Sequence, residues 1–187
     1  MRKILVVFVV LCGLNLTSAQ TQVAGVSLPG TLEYASENLI LNGAGVREKF
    51  WMDMYAGGLY LENRSSDASE IMNKEEAMAI RLHIVSKMIT SKRMVDAVNE
   101  GFENATNDNT SPISAEIKKF ISIFEEEIEK GDVFDLVYVP NEGVLIYKND
   151  KKSGTIKGMA FKKALFGIWL SKDPADKDLK EGMLGEK

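Results

Sequence analysis

Apolar and polar positions alternate through much of the first half of the chain, then apolar residues recur at helical spacing. Alternation returns before a last apolar helix. Val23 to Leu28, Thr31 to Tyr34 and Asn38 to Leu41 predict three short strands bounded by turn-forming residues. Asn42-Gly43-Ala44-Gly45 reads as a tight turn, because Asn and Gly tolerate positive φ. Lys49 to Leu61 predicts one long strand rich in aromatic residues and Met. Trp51, Asp53 and Tyr55 share one of its faces, and Phe50, Met52 and Met54 the other. Gly57-Gly58 within it points to a bulge or to a close approach by another element. Ala77 to Val85 places Arg81 and His83 opposite Ile80, Leu82 and Ile84, the pattern of a half-buried strand.

Asp67 to Asn73 reads as a short helix. Thr90 is a good N-cap, since its hydroxyl accepts from a backbone N–H of the first turn. The helix it opens runs to about Asn104, with Met94, Val98 and Phe102 at four-residue steps. Ser111 and Pro112 open the next helix. Its apolar stripe is Ile117, Phe120, Ile121, Phe124 and Ile128, and Gly131 ends it. Val133 to Val139 and Val144 to Tyr147 predict a hairpin, and Lys152 to Ile156 a further strand. Phe161 to Leu170 is a helix, and Asp176 to Gly182 a final helical turn or two. Strands, helices, strands and helices in that order predict the α+β class: a large antiparallel β-sheet with helices packed on one face.

The first residues change the picture. Arg2 and Lys3, the apolar run Ile4 to Leu16, and Thr17-Ser18-Ala19 are the three parts of a secretory signal. Residues 1–19 are therefore expected to be a cleaved leader, and residues 20–187 one soluble domain. The apolar run is shorter than the roughly 20 residues of a spanning helix, which favours cleavage over anchoring. Cys12, the single cysteine, would leave with the leader. Leu11 stands where lipid attachment to Cys12 needs a small residue, which argues against a lipid anchor. The formal charge is −4, and more negative once Arg2 and Lys3 are gone. An acidic domain is a poor partner for nucleic acid, whose phosphates need basic patches. No second apolar run approaches spanning length, so stable membrane insertion is not expected. No His, Asp or Glu cluster has metal-ligand spacing, and the sole histidine, His83, reads as structural.

Leu41-Asn42-Gly43-Ala44-Gly45-Val46-Arg47, followed by a strand ending in Tyr60-Leu61-Glu62, resembles the glycine-rich turn, arginine and strand of the chalcone isomerase family. Ile80-Arg81 ahead of a Thr-initiated helix agrees with it. Val137-Tyr138-Val139-Pro140 with Gly143, and Lys163 to Leu170, resemble its bacterial, exported branch. The resemblance covers about Val23 to Gly185. It implies an open-faced sandwich with a ligand cleft between sheet and helices, no metal and no organic cofactor. The plant enzymes of the family close a flavanone ring by intramolecular addition of a phenolate to an enone. Other members lack that activity, and some bind fatty acids.

The resemblance makes Arg47 the cleft arginine and sets Tyr55 where the plant enzymes have a threonine hydroxyl. A guanidinium is always charged and offers a planar fork of donors. It can stabilise a phenolate and a forming enolate, or clamp a carboxylate through two hydrogen bonds. Arg47 and Tyr55 are thus the candidate catalytic pair, and Arg47, Tyr55, Trp51 and Met94 the candidate ligand-binding set. Met94 replaces a cleft tyrosine of the plant enzymes. Gly101, Val85 and Gly167 fall where they carry an asparagine, a lysine and a hydroxyl residue, although Lys87 lies close to the lysine position. With those polar groups lost, three functions follow. The first is a non-catalytic binder of an amphipathic carboxylate such as a fatty acid. The second is an intramolecular lyase of the chalcone isomerase type. The third is a structural envelope protein with a filled cleft and Arg47 in an internal salt bridge. The expected partner is a small amphipathic or polyphenol-like ligand, and the expected compartment the bacterial periplasm. The sequence leaves the oligomeric state open.

Overall fold

A computed structural model describes residues 20–34 and 37–186. The leader read at residues 1–19 lies outside the described residues. Seven strands form one antiparallel sheet in sequential order: β3 (Thr31–Tyr34), β4 (Glu37–Lys49), β5 (Met52–Leu61), β6 (Met78–Ile84), β7 (Val133–Val139), β8 (Gly143–Lys148) and β9 (Lys151–Ile156). Ahead of them, β1 (Thr21–Val23) and β2 (Val26–Leu28) make a separate hairpin. The helices are α1 (Ala68–Asn73), α2 (Ser91–Thr106), α3 (Ser114–Ser122), α4 (Met159–Leu170) and α5 (Lys177–Met183). The α+β expectation stands: a meander of strands with helices over one face.

The alternation of β6 sorts the two faces. Ile80, Leu82 and Ile84 join the main core, with Met94, Val98 and Phe102 of α2, Ile117 and Phe120 of α3, and the apolar residues of α4. On the opposite face Leu39, Leu41, Tyr60, Ala79 and Val137 form a second, smaller core. The N-terminal segment reaches over that face. Tyr60 Oη donates to the Pro29 carbonyl at 2.9 Å, and Leu28 is fully buried. Arg81 lies on this second face and forks onto the buried Asp135 at 2.7 and 2.8 Å, with Tyr34 donating to the same carboxylate at 2.7 Å. A buried carboxylate is tolerated only when its charge and lone pairs are met in this way.

The strand expected from Val23 to Leu28 is instead the hairpin of β1 and β2, turned at Ala24-Gly25. Two further sequence expectations are corrected. The segment Asn42–Gly45 is no turn. It is the middle of β4, with a register shift between Leu41 and Gly43. Its glycines serve close approach instead of positive φ. A Cβ on Gly43 would run into the Gly182 carbonyl oxygen, and one on Gly182 into that of Ala44. Helix α5 therefore rests backbone-to-backbone on β4, with Leu179 against Gly45 and Met183 against Gly57. Asn42, at the shift, pins the arrangement by donating to the Met183 and Ser65 carbonyls and accepting from the Ser65 N–H. The second correction concerns the helix read from Ser111 to Gly131. It is a 3₁₀ turn, Ser111–Ile113, and then α3, which stops at Ser122. Phe124 and Ile128 stay buried without helix, and Ser91 at the start of α2 donates to the Phe124 and Glu126 carbonyls.

Lys162 on α4 is fully buried. Its ammonium donates to the carbonyls of Ile71, Met72 and Lys74 at 3.1, 3.0 and 2.9 Å. These are the orphan acceptors at the C-terminal end of α1, so one side chain ties that helix to α4. Burial, with the neighbouring Lys163 charge, pushes Lys162 down to about 8.

Gly43→Ala tests the seat of α5. The added methyl meets main-chain oxygen, which cannot rotate away, so we expect a loss of about 1–3 kcal/mol in urea unfolding. Amide exchange should accelerate more in α5 than in β6 or β7. Unchanged stability and protection would show that α5 is not held by this contact.

Candidate functional site

Arg47 and Tyr55 are cross-strand partners in the β4–β5 ladder, so their side chains leave the sheet as neighbours. A bulge follows at once. The register passes from Arg47↔Tyr55 to Glu48↔Asp53, which leaves Met54 without a partner on β4. The Met54 carbonyl instead accepts from the N–H groups of Val85 at 3.0 Å and Ser86 at 3.2 Å. Because the bulge interrupts period-two alternation, Met54 and Tyr55 both line one cavity instead of facing opposite ways.

That cavity measures about 300 Å³ and lies between this end of the sheet and α2. Met54, Met88, Ile89 and Met94 form its apolar wall. Lys49, Arg93, Asp96 and Glu100 also line it, and all four are exposed residues. The volume sits at the lower end of the ~300–1,000 Å³ common for small-molecule sites.

Arg47 is held from one side. Its Nη1 donates to Asp176 Oδ2 at 3.1 Å and to the Glu48 carbonyl at 3.3 Å. Asp176 is itself fixed, because its Oδ1 caps α5 by accepting from the Leu179 N–H at 3.0 Å. Among the described residues the side-chain hydrogen bonds of Arg47 run through Nη1, with Nε and Nη2 in none of them. Tyr55 is buried, and its hydroxyl accepts from Trp169 Nε1 at 2.9 Å. Burial pushes its pKa up to about 12, against the opposing pull of the Trp169 hydrogen bond and the Arg47 charge. Tyr55 is therefore a phenol at neutral pH, able to donate its proton to an acceptor but no base.

Of the predicted residues, Arg47, Tyr55 and Met94 converge on the cavity. Trp51 does not. The single strand expected from Lys49 to Leu61 is broken by a two-residue turn, Phe50-Trp51, that joins β4 to β5. Trp51 stands at its tip, 97% exposed. His83 sits half-buried on the opposite face of the sheet, where burial and the Arg81 charge lower its pKa. Gly101 and Gly167 line no part of the cavity. Gly101 lies against Ile168 and Gly167 against Ala105, so the two glycines let α2 and α4 pack closely. The sequence reading missed Met54, Trp169 and Asp176. Asp176 carried a legible signal as the cap of the last helix, but nothing local tied it to Arg47.

The fold thus presents a sequential antiparallel sheet with helices on one face, and a cavity between sheet and helix that joins an arginine to apolar walls. The chain belongs to the chalcone isomerase-like family, whose profile matches residues 20–185. Among solved structures it is similar to the crystal structure of a fatty-acid binding protein of Arabidopsis thaliana. The TM-score is 0.69 at 18% identity, over 87% of this chain and 93% of that one. At this identity the likeness establishes the fold. A comparison with curated proteins gave no match.

The raised tyrosines set an alkaline limit. An unfolded phenol ionises near 10.0, whereas native Tyr55 keeps its proton to about 12. Burial likewise raises Tyr34 and Tyr60. Above pH 10 the native state then binds more protons than the unfolded one, so stability falls as pH rises. Urea unfolding at stepped pH should show this fall, and Tyr55→Phe should make it shallower. An unchanged slope in the variant would place Tyr55 in a wetter setting.

Proposed function

We propose that this protein is a non-catalytic binder of an amphipathic carboxylate such as a fatty acid. The observation that carries the reading is the pairing of Arg47 and Tyr55 on adjacent strands at the wall of a cavity whose apolar side includes Met54, Met88, Ile89 and Met94. A carboxylate accepts from Nε and Nη2 of Arg47 in the two-bond arrangement that suits a guanidinium. The Tyr55 hydroxyl supplies a third donor. The tail lies along the methionines, whose unbranched, polarizable side chains adapt to a flexible chain. The similarity to a fatty-acid binding protein supports this choice of ligand class.

The loss of the plant enzymes' orienting polar groups, at Met94, Gly101 and Gly167, favours binding over ring closure. The ion pair of Arg47 with Asp176 weakens the pull on an enolate and on a carboxylate alike. The same ion pair was expected of a purely structural protein, but the open cavity beside it supports a ligand site. We further read residues 1–19 as a leader that takes the chain to the bacterial periplasm.

Native mass spectrometry of protein purified gently from its own host tests the binder. Wild type should carry an acidic lipid, and Arg47→Ala should lose most of it. An arginine–carboxylate pair in a part-buried site contributes about 2 kcal/mol, or roughly thirtyfold in affinity. Lipid retained equally by the variant would defeat the reading. Arg47-dependent cyclisation of hydroxychalcones above the uncatalysed background would replace it with the lyase.

A further inference from the structure

The β4–β5 turn breaks the usual rule for two-residue hairpins. Phe50 and Trp51 both take positive φ, 55° and 59°. This is the geometry for which Asn-Gly and similar pairs are strongly favoured. Two other two-residue turns among the described residues carry favoured residues, Gly25 in one and Asn149-Asp150 in the other. Ala24-Gly25 links β1 to β2, and Asn149-Asp150 links β8 to β9, each with both φ positive. At Phe50-Trp51 two bulky residues occupy the left-handed region, at a cost of about 1–2 kcal/mol each. Little packing offsets this: the Phe50 ring meets Lys49 Nζ 5.8 Å from its centroid, and Phe50 is 66%, Trp51 97% and the adjoining Met52 39% exposed. These are the exposed large hydrophobic residues among those described.

We propose that this tip docks the protein on a lipid surface, with Phe50, Trp51 and Met52 entering the headgroup region, Lys49 meeting lipid phosphates, and the exposed Glu48 and Asp53 staying in water. Three features argue for lipid over a protein partner. The first is chemistry: Trp and Phe beside a lysine suit the interface, where an aromatic body sits among acyl chains and a cation stays with the headgroups. The second is area. Three side chains of at most about 250 Å² each fall short of the ~800 Å² per partner of a stable protein interface, whereas a bilayer needs no matching surface. The third is position. Phe50 and Lys49 belong both to the tip and to the lining of the Arg47 cavity, where Arg93 adds another cation and Asp96 and Glu100 two carboxylates. Docking would set the mouth of the cavity against the source of an amphipathic ligand. That last consequence rests on the binder reading; the docking itself does not.

The two tryptophans make the test direct, because Trp169 is 5% exposed and Trp51 almost wholly so. Mature protein is mixed with fatty-acid-free vesicles of phosphatidylcholine, with and without phosphatidylglycerol. We expect a blue shift of the exposed emission and co-sedimentation with both kinds of vesicle. The variant F50N/W51G installs the residues that the turn prefers. It should melt at a higher temperature than wild type, yet lose at least tenfold in vesicle affinity for the aromatic burial removed. R47A should sediment like wild type, so failure of the ligand reading and failure of docking are told apart. Unchanged emission with no sedimentation overturns the proposal, as does sedimentation that survives F50N/W51G. A concentration-dependent blue shift without vesicles would also overturn it, by showing that a second copy covers the tip.

Discussion

The contact between α5 and β4 governs the rest of the site. A helix lies backbone-to-backbone on a strand only where side chains are absent from both, as at Gly43 against Gly182, with Leu179 packed on Gly45 beside them. The consequence is electrostatic. Seating α5 brings its cap, Asp176, to 3.1 Å from Arg47. The arginine is thus oriented by a residue far away in sequence, and the carboxylate that orients it is locked in turn by capping its own helix. A single steric condition in the middle of β4 fixes where the charged group of the cavity stands.

A second condition shapes the wall. The bulge at Met54 turns two successive residues of β5 toward one cavity, adding a thioether beside the Tyr55 phenol. Trp169 of α4 holds that phenol by its oxygen and leaves the proton available. Close packing of α2 on α4 through Gly101 and Gly167 fills the space deeper between these helices. What remains is a short pocket near the mouth with donors at one wall and methionine around it. The pocket sets a protonated phenol and a guanidinium at one wall and the carboxylates of Asp96 and Glu100 at its exposed rim.

Much of the fold was legible because it follows from periodicity. The faces of β6, the Thr90 cap of α2 and the apolar α4 are local patterns, and each lies where alternation or capping chemistry predicts. The errors share one physical origin. Asn42 to Gly45 looked like a turn because glycine permits positive φ, whereas these glycines answer to a helix more than a hundred residues away. Phe50-Trp51 looked like strand because aromatic residues favour strands, and no local propensity predicts a left-handed turn there. Trp51 was lost from the candidate site for that reason, and Met54 was missed because a bulge inverts the expected face. Arg47, Tyr55 and Met94 were found through family resemblance, and their convergence depends on register that no local pattern displays.

The central claim is that Arg47 receives a carboxylate inside the cavity. The most direct measurement is an NMR titration of a fatty acid isotope-labelled at its carboxyl carbon and bound to the mature protein. If the head group lies on Arg47 and Tyr55, the bound carboxyl titrates well below the ordinary carboxylate range, since an adjacent cation and a hydrogen-bond donor both favour the charged form. It should return upward in Arg47→Ala. A bound carboxyl that titrates as it does in water, or that shifts equally in wild type and variant, would contradict the account.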